Sequence, residues 1–176
     1  QKEKDILTRY PLPSHWKRPS LGASALQRTI FSVFCMASFG HVELAPLWAS
    51  IKLEEEGDDS VWVEETRKHC DRLNNLLIVG SLLLATSAAF ITTVPPRPAM
   101  ANYTLRGPYI CMLSATGMLV GGIIVTAVSF LVLTNARANW AERVLYGSRF
   151  HVWSTLILGS YPIVSIGVAT ILLASG

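Results

Sequence analysis

From Leu76 to Val94 the chain runs for 19 residues without an ionisable side chain, LLIVGSLLLATSAAFITTV, and then meets Pro95 and Pro96. A helix of about 20 apolar residues crosses the roughly 30 Å hydrocarbon core of a bilayer. It is also one of the few structures that satisfies its own backbone groups there. Two comparable runs without charge follow, Tyr109–Thr134 and Val152–Ala174. Composition agrees: 15% of the 176 residues are charged, against about 25% in an ordinary soluble domain. The sequence therefore predicts an all-α integral membrane protein with three transmembrane helices. An N-terminal amphipathic or re-entrant helix over residues 26–51 is a candidate fourth span.

The segments between and before the spans are polar. Residues 1–25 form a basic arm interrupted by Pro11, Pro13 and Pro19, which predicts extended backbone. Trp16 beside Lys17 and Arg18 suits a headgroup-level anchor. Within 26–51, Leu26, Ile30, Val33, Ala37, Leu44, Trp48 and Ile51 recur at helical spacing, while His41, Glu43 and Pro46 interrupt the apolar run. Residues 52–60 read as an acidic loop whose Asp58, Asp59 and Ser60 are natural caps for the next helix. No breaker appears from Val61 to Val94. One helix of about 50 Å is expected there, its first third standing clear of the membrane. Glu64 and Lys68 form an i,i+4 pair in its exposed part.

Charge placement orients the chain. Arg67, Lys68, Arg72, Arg137, Arg143 and Arg149 flank the spans on one side, against Arg97 and Arg106 on the other. The positive-inside rule then places the N-terminus in the cytoplasm. It also puts the sequon Asn102-Tyr103-Thr104 outside, where Asn102 is a candidate glycosylation site. The net charge of +3 is spread thinly and predicts no nucleic-acid partner.

Chemistry-bearing patterns are sparse. Cys35, Cys70 and Cys111 are odd in number and far apart, so they suggest neither a disulfide framework nor a metal site. No HExxH, GxSxG or phosphate-cradling loop occurs, so neither an enzyme nor a cofactor is expected. Proton- and ion-coupled transporters place ionisable groups inside the membrane, and these spans hold none. Candidate ion-contact residues are Glu43 and His41, together with Ser81 and Thr92 on the first span. Repeated around an oligomer, Glu43 would form a carboxylate ring that attracts cations.

The spans are rich in small residues. Gly117 and Gly121 stand at GxxxG spacing, Gly122 and Thr126 lie on a neighbouring row, and Gly167 sits on the third span. In lipid, such residues allow the close approach that drives helix association. Pro162 withholds a donor from Leu158 and predicts a kink in the third span. Two function classes follow. The first is a homo-oligomeric pore for ions or small solutes, with the acidic 54–59 loop or Glu43 collecting cations. The second is a non-conducting scaffold or accessory subunit in the lipid bilayer that recruits a cytoplasmic protein partner.

Overall fold

A computed structural model describes residues 2–17, 25–93, 106–145 and 147–175. The described residues are helical with no strand. In order they form α1 (Lys2–Arg9), α2 (Ala25–Phe39), α3 (Ala45–Glu55), α4 (Ser60–Thr92), α5 (Arg106–Asn135) and α6 (Ala138–Trp140). A π-helical turn, Ala141–Leu145, then leads to α7 (Arg149–Ser175). Three of these, α4, α5 and α7, are long and apolar enough to span a membrane, and α2 is a shorter apolar helix. The fold class expected from the sequence is the one observed. Arg18, Arg97 and Asn102 lie outside the described residues.

The stretch read as one helix over 26–51 is two helices with a sharp turn between them. Gly40 adopts φ +78°, a left-handed conformation that a residue with a side chain rarely takes. Its N–H still donates to Met36 O at 3.0 Å, closing α2. Pro46 then falls in the first turn of α3, where its missing donor costs nothing. The break reassigns the apolar positions. Leu44, Trp48 and Ile51 are buried, whereas Leu26, Ile30 and Val33 are exposed. Gly57 ends α3 in the same way, with φ +95° and a bond from Asp58 N to Leu53 O of 3.0 Å.

The chain divides into two compact units: residues 1–72 with 130–160, and residues 73–129 with 161–176. The first has an aromatic core of Trp16, Phe31, Trp48 and Trp62 with Cys35, Leu44, Ile51, Val152 and Leu156. Trp16 meets Trp48 edge to face at 5.1 Å, and Phe31 meets Trp153 at 5.5 Å. Phe31, Cys35 and Ser38 share one stripe of α2 at the spacing of i, i+4 and i+7. Ser38 Oγ on this stripe donates to Leu156 O at 3.0 Å. Burial pushes the Cys35 thiol up to about 12, with the Glu43 charge adding to it, so Cys35 stays protonated as a small apolar side chain.

Two expectations change here. Residues 2–9 of the basic arm are helical, because Ile6 packs with Ala49 and Leu53 of α3. Trp16 is buried in the core at 1% exposure instead of standing at a headgroup. Trp62, in the first third of α4, belongs to the same core.

The second unit is lean and close-packed. Ala115, Leu119 and Ala169 form its centre, with Leu83, Leu84, Ile166 and Leu172 against them. Gly121 admits the Tyr161 ring, whose hydroxyl would lie 2.9 Å from an added Cβ. Gly122 is closer still to Ser165, and a Cβ there would collide with its hydroxyl. The helix continues through Pro162, which is fully buried.

Candidate functional site

The acidic segment read as a loop over 52–60 begins inside α3, which runs to Glu55, and the structure places each of its first three carboxylates on an internal partner. Glu54 Oε2 accepts from Ala138 N at 3.0 Å and thereby caps the short α6. Glu55 pairs with Lys52 at 3.0 Å, and Glu56 with Arg9 at 2.7 Å. Lys52 is largely buried, with Nζ 2.9 Å from Glu142 and 4.5 Å above the Trp48 ring centre. Burial disfavours its charge, but the Glu142 and Glu55 carboxylates prevail and hold the ammonium above its ordinary range. Glu54 and Lys52 thereby tie α3 to α6 and the π-helical turn.

A cavity of about 350 Å³ opens elsewhere in this unit. Its floor and walls are Phe39, Gly40 and His41 from the α2–α3 turn, Leu47 from α3, and Leu133 and Ala141. Helix α4 contributes Trp62, Glu65, Thr66, Lys68, His69 and Arg72, a run at i, i+3, i+4, i+7 and neighbouring positions that lies along one side of the helix. The lining is divided in kind. Phe39, Leu47, Trp62, Leu133 and Ala141 are apolar, whereas His41, Glu65, Thr66, Lys68, His69 and Arg72 carry polar groups.

The charges within the cavity are unequally matched. Lys68 pairs with Glu64 at 3.0 Å and with Glu65 at 3.1 Å. His41 Nε2 lies 3.9 Å from Glu65. Arg72 has no ion pair or hydrogen bond with any described residue. Its Nη1 would lie 3.7 Å from a Cβ on Gly40, so the guanidinium occupies the space beside the glycine turn. His69 stacks on Phe39 with ring centres 5.3 Å apart. Burial, followed by the Arg72 charge, pushes its imidazole down to about 4 against the opposing pull of Glu65. At neutral pH His69 is therefore an uncharged donor and acceptor beside an unmatched cation.

The residues singled out in the sequence are dispersed. His41 lines this cavity, whereas Glu43 is exposed outside it. Ser81 and Thr92 are exposed on α4, and Thr92 donates to Ala88 O at 2.9 Å. Among the helix-packing candidates, Gly121, Gly122 and Thr126 are used within the second unit. Gly117 and Gly167 face open space. Sequence reasoning used Arg72 only to orient the chain and passed over Thr66 and Trp62, although their spacing on α4 is visible. What it lacked was the Gly40 turn that folds α2 and α3 back toward that side of the helix. Among the described residues, no group of His, Cys, Asp and Glu is arranged to hold a metal ion. Comparison with known protein families, curated proteins and solved structures finds no match to this chain.

Proposed function

We propose that the chain is a non-conducting membrane scaffold or accessory subunit, whose polar unit recruits a partner on the cytoplasmic side. The observation that carries this reading is the fate of the hydroxyl groups in the second unit. Ser87 shares a hydrogen bond with Thr116 at 2.5 Å, and Thr116 donates in turn to Met112 O. Thr126 donates to Gly122 O at 2.6 Å and Ser165 to Pro162 O at 2.9 Å, both buried. A hydroxyl bonded to its own helix and buried in its own subunit has little left to offer a hydrated path. Outward positions on α5 are large and apolar, among them Ile110, Leu113, Val120, Ile124 and Leu131. Such a surface suits lipid. The cytoplasmic N-terminus rests on the arginine and lysine asymmetry of the flanking loops.

The homo-oligomeric pore is favoured by one different observation. Ser81, Ala85, Ala88 and Thr92 form an exposed row on α4, and Gly117 has nothing against it. Copies packed through that row would enclose small and hydroxyl side chains. Reconstitution distinguishes the two readings. Liposomes containing the protein are expected to hold an ion gradient across a range of pH, calcium and voltage. An ion flux whose cation preference changes with Glu43→Gln would replace the scaffold with the pore.

A further inference from the structure

The unmatched cation in the cavity points to a ligand of its own. Arg72 precedes Leu76, the first residue of the uncharged run, by four positions on the same helix, or about 6 Å of rise. A bilayer's headgroup layer is of similar depth, about 5–8 Å on each side of the hydrocarbon. Leu133, which also lines the cavity, is among the last apolar residues of α5 before Thr134 and Asn135. The cavity thus lies where two spans change from apolar to polar sequence. Its lining combines the apolar Leu47, Trp62 and Leu133 with the polar Thr66, His69 and Arg72.

We propose that this cavity binds an anionic phosphate group, with the Arg72 guanidinium as its counter-charge and Thr66 and His69 as neutral hydrogen-bonding partners. A guanidinium presents several N–H donors in a planar fork that matches two phosphate oxygens at once. A neutral imidazole and a hydroxyl each add a donor without further charge to desolvate. The apolar lining residues Leu47, Trp62 and Leu133 would receive the uncharged part of an amphiphile. Basic recesses beside transmembrane helices commonly take lipid headgroups in this manner. Gly40 matters to the geometry, because a side chain there would reach into the space beside Arg72. The titratable groups lining the site are His41 from the α2–α3 turn, and Glu65, Lys68, His69 and Arg72 from α4. The contributions of α3, α5 and the π-helical turn are Leu47, Leu133 and Ala141, which do not titrate. The inference requires only that the chain be membrane-embedded, and it holds whether the protein conducts or not.

The test is a nuclear magnetic resonance titration of His69 in the full chain, since an anion on Arg72 offsets the charge that depresses the imidazole. Three arms separate the sources of phosphate: detergent micelles with inorganic phosphate, nanodiscs of phosphatidylcholine alone, and nanodiscs doped with phosphatidate. A rise in the His69 midpoint only with phosphatidate identifies a lipid headgroup. A rise with inorganic phosphate in micelles identifies a soluble phosphate compound. In either case Arg72→Gln is expected to weaken binding at least about tenfold, the loss of one charge-assisted contact. Thr66→Val is expected to weaken it less. A His69 midpoint that none of the arms moves overturns the proposal, and this result needs only the wild-type chain. So does a shift that persists at full size in a folded Arg72→Gln protein.

Discussion

The two units of this molecule solve the same packing problem with opposite materials. The first is built from large aromatic side chains and from charges that meet across long stretches of sequence. Lys52 reaches Glu142, Glu54 reaches the Ala138 amide, and Trp48 Nε1 donates to Tyr10 O at 3.0 Å. The second is built from glycine, alanine and hydroxyl side chains, and several of its polar bonds return to a carbonyl one turn earlier on the same helix. The two materials are those that water and lipid respectively favour. Water drives bulky apolar groups together and supports charge at the rim. Lipid offers no such drive between helices, so close approach of backbones and satisfied hydroxyls must hold them. The first twelve residues of α7 show the first principle at work within a helix that reads as a membrane span. Val152 and Leu156 are apolar because the aromatic core covers them.

That contrast can be broken most forcefully at Trp48. Trp48→Ala removes the ring that meets Trp16, the bond to Tyr10 and the seat of Lys52. It is expected to cost about 3–5 kcal/mol, as for other large core truncations. Near-ultraviolet circular dichroism should lose its tryptophan signal while far-ultraviolet helicity from the spans persists. Loss of both signals together would show that the units do not differ in what sustains them.

Acid should act on the first unit next. His69 has a midpoint of about 4 when folded against 6.5 when unfolded, so between these values the unfolded chain binds more protons. Stability is therefore flat above the upper value and falls as pH drops from 6.5 toward 4, by an amount on the order of 3 kcal/mol. Thermal unfolding of wild type and His69→Gln across that window tests the assignment, because the variant should lack this component of the slope. Equal slopes would place the acid sensitivity elsewhere.

The second unit is sharpened by a pair of glycines. Gly122→Val forces a branched side chain into the space of Ser165 and is expected to cost about 1–3 kcal/mol. Gly117→Ala, which meets nothing within 4 Å, should leave the melting temperature in detergent unchanged or slightly raised. If Gly117→Ala instead lowered the mass of the detergent-solubilised particle, the open glycine would be a contact between copies, which the pore reading requires.

Much of this contrast was legible before folding was considered. The uncharged run from Leu76 to Val94 and its two successors require helices, because lipid leaves the backbone no other partner. The charged residues from Glu64 to Arg72 likewise exclude the first part of α4 from hydrocarbon. The site was not legible in the same way. Reading His41 and Glu43 as neighbours in one amphipathic helix misses the left-handed Gly40, which carries His41 into the cavity and leaves Glu43 outside it. Glu54 and Glu56 look solvated in sequence because their partners Ala138 and Arg9 come from separate segments.

By itself, then, the sequence determined the helical class, the apolar spans and the side on which basic residues gather, since each depends on local composition and helical period alone. Tertiary structure decided which polar groups are spent and which remain. The i,i+3 pairs Lys52–Glu55 and Glu65–Lys68 follow from helical spacing, whereas only the folded chain brings Glu142 to Lys52 and His41 beside Glu65. Arg72 is one of several arginines near a span, and it stands without a described counter-charge because the turn at Gly40 brings no carboxylate to it. Pairing depends on distance, and distances between remote segments are set only when the core closes.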